Sequence, residues 1–151
     1  MSTVVRRGGE GTVGSEPVPS GFTISTRSSN LLDLLGPLFE SGTGADYRLG
    51  LRVDERHSNR KGFCHGALLA LLADVHLGRL CAMSADPPLP LVTSGLTLNY
   101  LSAAKIGDWL EASGQVDRVG RTLAHSTGVI LANGKPVLRA CGTFQVVAPA
   151  P

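Results

Sequence analysis

Aromatic residues are scarce, with four Phe, two Tyr and one Trp in 151 residues, and they are not interleaved with basic ones, so no base-stacking platform is present. Charge is thin as well. Fourteen Lys and Arg stand against twelve Asp and Glu for a formal net charge of +2, and the longest basic clusters are Arg6-Arg7 and Arg60-Lys61. That leaves no phosphate-tracking stripe and argues against nucleic acid as a partner. The three cysteines form no disulfide framework and suit a reducing compartment. No long apolar run exists. The longest, Ala67 to Ala73, is far short of the roughly 20 residues a membrane span requires, and the opening MSTVVRRGGE holds no signal-like apolar stretch. The expectation is a soluble cytoplasmic protein without membrane contact. Also lacking are the GxSxG nucleophile turn, the GxxxxGK[ST] phosphate loop and the HExxH metal helix. Cys64 and His65 are adjacent and lack zinc-ligand spacing, so neither metal nor cofactor is expected.

What is present is a chain long enough to bury one core, 42% hydrophobic and 17% charged. Residues 1–20, rich in Gly, Pro and Ser without periodicity, read as a disordered arm, residues 21–148 as one domain and 149–151 as a tail. The GxGxxG at Gly9 to Gly14 lacks the preceding strand and following helix that a dinucleotide site needs. Asn30 reads as the cap of a short helix, LLDLL, stopped by Gly36-Pro37. From Tyr47 the period is two, with Tyr47, Leu49, Leu51 and Val53 on one side of a strand. Gly66 to about Met83 reads as the principal helix, apolar on every side through its first half and therefore buried all round. Four strands follow: Leu96 to Tyr100, Leu110 to Val116, Leu123 to Leu131 with Leu123, His125, Thr127 and Val129 sharing a side, and Pro136 to Val146. Turns at Val119-Gly120 and Asn133-Gly134 make antiparallel hairpins of the last three. A sheet wrapping one central helix is the simplest way to bury that helix, which gives an α+β fold.

Asp74 is the first charge along the helix. At about 100° per residue, Ala67, Ala70, Gly78 and Cys81 share its face, whereas His76 and Arg79 point the other way and take the solvated side. A carboxylate so placed suits a base or nucleophile. At the helix start, where backbone N–H groups lack intrahelical partners, Gly66 can offer its N–H to an oxyanion or can serve only a tight turn. Eight helical residues separate Gly66 from Asp74 by about 12 Å, too far for both to address one carbonyl carbon. Two such helices packed antiparallel about a two-fold axis would set Gly66 of one chain opposite Asp74 of the other. An obligate homodimer with two shared sites is expected, with further pairing into a homotetramer left open. Cys81 and Cys141 read as small core residues and His125 as structural.

The stretch NRKGFCHGALLALLADVHLG closely resembles the N-x-x-G-x-x-H-G-G…A-D signature of the PaaI-like acyl-CoA thioesterases of the hotdog-fold group. GPL at Gly36, GLRV at Gly50, LTLNYLSAAKIGD at Leu96, GRTLA at Gly120 and GTF at Gly142 extend the likeness over nearly the whole chain beyond the arm. The resemblance implies a hotdog fold, an antiparallel sheet around one long helix, and an acyl-CoA substrate. It implies that Gly66 supplies the oxyanion N–H, that Asp74 of the facing subunit activates water or attacks directly, that Asn59 orients the water or the thioester, and that His65 supports the helix start. Thr93 or Ser94 matches the family's secondary polar contact, and Gly120, Arg121 and Thr122 fall where its hairpin lies near CoA, with Arg121 able to pair with phosphate. Two positions depart from the signature: Ala67 replaces its second glycine, and Gly78 stands where some relatives carry a hydroxyl. A hotdog domain that binds acyl-CoA without cleaving it, as a sensor, would need the pocket but not Asp74. An enoyl-thioester hydratase would place its Asp/His pair at another spacing.

Overall fold

The computed structural model describes residues 16–148. Thr23–Ile24 (β1), Asn30–Leu35 (α1), Phe39–Ser41 (β2) and Arg48–Arg52 (β3) precede the long helix Gly66–Ala82 (α2). Leu91–Tyr100 (β4), Trp109–Val119 (β5), Lys135–Val146 (β7) and, between the latter two, Leu123–Ala132 (β6) complete the fold. All neighbours pair antiparallel in one seven-stranded sheet of order β1-β2-β3-β5-β6-β7-β4. The expected sheet around one helix is the fold observed, and both hairpins form, with Asn133 at φ 47° and Gly134 at φ 82° making the tight turn between β6 and β7.

The core lies between α2 and the sheet. Leu69, Leu72, Leu77 and Leu80 of the helix are buried against Leu49, Leu51, Leu110, Ile130 and Leu138 of the strands. Leu77 sits over a trough of glycines. A Cβ on Gly114 or Gly128 would stand 3.2 or 3.0 Å from its Cδ2, and one on Gly142 would stand 3.4 Å from its Cδ1. The lack of side chains at these positions lets the helix approach the strands closely.

Several expectations are corrected. The helix is buried on one side only: Leu68, Leu69, Leu72 and Ala73 face the sheet, whereas Ala67 is exposed and Ala70 and Asp74 are half-buried. Arg79, expected with His76 on the solvated side away from Asp74, is half-buried and lines the same cleft as Asp74, and His76 is 1% exposed. Its ring stacks on Tyr47 at 5.4 Å, and its Nε2 lies 3.1 Å from the Tyr47 carbonyl. A satisfied polar group can occupy the interior, which a helical wheel does not register. In β6, Ala124, Ser126 and Ile130 are buried, so Leu123, His125 and Thr127, read as sharing a side, face away from the helix. In the first half of β6 small residues, Ala124 and Ser126, mark the side that the helix presses on, with Ile130 following them. Cys141 is exposed on that same outer side and is no core residue, while Cys81 is buried. The cap of α1 is Ser29, which accepts from Leu32 N–H at 3.2 Å, and Asn30 is the first helical residue.

Strands β1 and β2, too short to carry a period, extend the sheet beyond β3. Glu16 and Pro17, read as part of the arm, are tied to the sheet through Arg52, whose guanidinium donates to Glu16 at 3.1 Å and to the Pro17 carbonyl at 2.9 Å. Arg52 also lies over the Trp109 ring at 5.3 Å, and Phe22 meets that ring edge-on. Residues 1–15 of the arm, with the GxGxxG, and the tail lie outside the described residues.

Candidate active site

Asp74 emerges half-buried on the side of α2 where β4 passes. The Thr93 hydroxyl donates to Asp74 Oδ1 at 2.7 Å. Asp74 Oδ2 has no hydrogen-bond partner among the described residues. A bulge between Thr93 and Gly95 adds one residue to β4 at this point. Such an insertion re-aims the side chains around it: Thr93 reaches the carboxylate, and Ser94 donates to the Thr143 carbonyl at 3.2 Å. Of the two hydroxyls named by the sequence, Thr93 is the one joined to Asp74. Both Asp74 and Thr93 line a cleft of about 390 Å³ whose walls include Val75, Gly78, Leu91 and Phe144. A Cβ on Gly78 would stand 3.0 Å from the Phe144 ring, so the glycine opens the cleft down to that ring.

At the other end of α2, His65 caps the helix by accepting from Ala67 N–H at its Nδ1, 3.1 Å away. The Gly66 N–H has no partner among the described residues. This orphan donor at a helix start is suited to an anion. Tyr100, which the sequence reading did not single out, donates its hydroxyl to the Gly66 carbonyl at 2.8 Å and lays its ring where a Cβ on Gly66 would stand 3.1 Å away. The signal available was an exposed tyrosine closing the LTLNY strand. Asn59 holds the loop before the helix: its Oδ1 accepts from Lys61 N–H at 2.9 Å and Phe63 N–H at 3.2 Å. Its carbonyl is thereby spent on the loop, and its amide Nδ2 is the part left for a ligand.

His57 ties this loop to the rest of the chain. Its Nδ1 accepts from Asp54 N–H at 2.9 Å, its Nε2 donates to the Leu35 carbonyl at 2.7 Å, and its own carbonyl accepts from His65 N–H at 2.7 Å. The neighbouring Cys64 is buried, and burial pushes its thiol up to about 11, which removes it as a nucleophile near neutral pH. Among the described residues no three His, Cys, Asp or Glu side chains gather to hold a metal.

Gly120, Arg121 and Thr122 form the exposed turn from β5 to β6. The Thr122 carbonyl accepts from Val146 N–H at 2.9 Å. Since Leu123 pairs with Gln145 and Gln145 with Val92, the turn lies two strands from Thr93, about 10 Å across the sheet. Arg121 makes no ion pair or hydrogen bond among the described residues. The nine residues named by the sequence thus fall into two groups on one chain. Asn59, His65 and Gly66 gather at the start of α2, and Asp74, Thr93 and the 120–122 turn lie toward the other end, with Ser94 turned aside.

An antiparallel sheet curled over a single long helix, with a carboxylate and an open helix start on that helix, is the hotdog architecture of thioester-handling proteins. The description of the thioesterase superfamily matches residues 61–136, and the chain belongs to that superfamily. It is 43% identical over 130 residues to a Pseudomonas aeruginosa protein named as an esterase, covering 85% of this chain and 97% of that one. With acyl-coenzyme A thioesterase 13 of Mus musculus it shares 30% identity over 93 residues, which is 56% of this chain and 66% of the relative. The structure of the Escherichia coli PaaI protein superposes with a TM-score of 0.71 at 24% identity, over 80% of this chain and 86% of that one, a likeness of fold. The resemblance seen in the NRKGFCHGALLALLADVHLG stretch therefore holds at the level of family and fold.

Proposed function

We propose that this chain hydrolyses acyl-CoA thioesters at sites shared between two chains, with Asp74 of one chain serving a thioester held at Gly66 of the other. The observation that carries the reading is the Asp74 carboxylate in an open cleft, oriented by Thr93 through one oxygen and left with the other free. Water hydrogen-bonded to Oδ2 loses its proton to the carboxylate as its oxygen attacks the thioester carbon. The developing oxyanion is met by the Gly66 N–H at the positive end of α2. Collapse of that species breaks the C–S bond, and the thiolate leaves to take up the proton. Asn59 Nδ2 is placed to orient the thioester or the water, His65 fixes the helix start, and Arg121, with Gly120 and Thr122, is offered to the phosphates of CoA.

Three features support the two-chain arrangement. One helix holds its donor and its carboxylate about 12 Å apart, so a single chain cannot apply both to one carbon. The outward face of α2 sets the small residues Ala67, Ala70 and Gly78 beside half-buried Leu71 and Val75, a surface that a second helix could approach. Among the described residues strand β4 pairs with β7 alone, leaving its other edge open beside exposed Val92 and Tyr100. The acyl-CoA substrate is supported by the name of the mouse relative. Release of free thiol from a panel of acyl-CoAs tests the reading. Wild type should turn over at least one of them, and Asp74→Asn should reduce kcat/KM by roughly 10²- to 10⁴-fold. Undiminished turnover in the variant would remove Asp74 from the chemistry.

A further inference from the structure

The Asp74 cleft is not lined by apolar groups and Asp74 alone: Arg27 and Arg79 line it as well. The Arg79 Nε is sealed from solvent and has no hydrogen-bond partner in the structure. Neither arginine has an ion-pair partner among the described residues, so the cleft carries two cations against one carboxylate. That Nε is as closed to a ligand as to water, so the Arg79 donors open to the cleft are its Nη atoms, and a planar guanidinium fork matches a carboxylate in two parallel hydrogen bonds. Apart from Thr93, the rest of the lining, including Leu32, Leu89, Leu91 and Phe144, is apolar.

Taking Asp74 as the catalytic carboxylate, we infer that the site prefers acyl groups ending in a carboxylate, whose chain lies against the apolar wall and whose far end is bound by Arg79 and Arg27. Arg79 follows Asp74 by five residues, about 7.5 Å along the helix axis, so the anion lies beyond the reacting carbon and not upon it. Gly78, between the two, leaves room for the chain to pass over Phe144. A phosphate of CoA is the other anion that could meet these arginines. The apolar wall favours the acyl chain, since a phosphate brings a hydration shell that Leu32, Leu89 and Phe144 cannot replace.

The test compares a carboxylate-ended chain with an alkyl chain of the same length, glutaryl against pentanoyl, in two forms: hydrolysable CoA thioesters and non-hydrolysable CoA thioethers. The ratio of kcat/KM values and the ratio of Kd values are measured for wild type, Arg79→Gln and Arg27→Gln. Wild type should favour the carboxylate-ended member, and Arg79→Gln should lower that preference by roughly tenfold to hundredfold. Arg27 is exposed, so Arg27→Gln keeps the test available should the Arg79 variant fail to fold, and it should lower the preference in the same direction. A preference unchanged in both variants, or absent from wild type in both assays, overturns the inference. If wild type cleaves no thioester yet binds the carboxylate-ended thioether more tightly, hydrolysis fails and the inference stands. Repeating the assays with N-acetylcysteamine esters separates the two anions: a loss confined to CoA compounds and shared by alkyl and carboxylate chains assigns the arginines to phosphate and overturns it.

Discussion

Thr93 touches Asp74 by a single hydrogen bond, and its effect on activity should act through that carboxylate. A hydrogen bond to a charged group contributes about 1.5–3 kcal/mol, and losing it frees the carboxylate to rotate away from water. Thr93→Val should therefore lower kcat by roughly tenfold or more while leaving thermal stability close to wild type, because Thr93 is exposed on an edge strand. Thr93→Ser, which keeps the hydroxyl, should recover most of the loss. Equal turnover in the Val and Ser variants would show that orientation of Asp74 does not depend on this residue.

His76 carries a pH dependence of stability. Burial, first of all, holds its pKa down to about 4 from the ordinary 6.5; the Arg48 charge pushes the same way, and the hydrogen bond to Tyr47 opposes both. The unfolded chain binds a proton near 6.5 that the folded chain refuses until about 4. Stability is thus fully present above pH 6.5 and is lost as pH falls toward 4, by up to about 3 kcal/mol. Urea titrations from pH 7.5 to 4.5 should show this loss, and it should be smaller in His76→Gln, whose unfolded state has no such proton to bind. An identical pH slope in the variant would place the dependence elsewhere.

At the scale of elements, the packing of α2 on the sheet depends on the glycine trough beneath Leu77. A Cβ on Gly128 would lie 2.5 Å from the Ser113 carbonyl oxygen, a backbone atom that cannot turn aside. Gly128→Ala should cost roughly 1–3 kcal/mol in a denaturant melt, and a change within a few tenths would mean that the strands spread without penalty. The trough also shows how much of the fold the sequence carried. Strand β3 was legible because Tyr47, Leu49, Leu51 and Val53 alternate with more polar or smaller residues and all four are buried. Which side of β6 faces the core was not legible, because its inner side holds Ala124, Ser126 and Gly128, small residues that a hydrophobicity pattern ranks below the Leu and Val on the outer side. The candidate site was legible where chemistry is local: Asp74 amid small residues and Gly66 at a helix start. Its tertiary parts were not, because Tyr100 against Gly66 and Arg27 beside Asp74 come from elements far apart in sequence, and His76 is buried through a carbonyl contributed by Tyr47.

At the scale of the whole molecule, the proposed arrangement gives one chain two half-sites at different ends of α2, with an outer helix face and a sheet edge left open among the described residues. A stable dimer in solution, about twice the chain mass by light scattering, is expected, but mass alone does not show that sites are shared. Complementation does. Asp74→Asn removes the base, and Gly66→Pro removes the N–H at a first helical position where proline is tolerated; His65, at φ −65° and ψ 133°, already has the backbone that a following proline requires. Each variant alone should be nearly inactive. When equal amounts are unfolded together and refolded, half of the dimers should be mixed, each with one site that has lost both groups and one that keeps both, so that about a quarter of wild-type turnover returns. A mixture no more active than the two variants assayed separately would contradict the shared site.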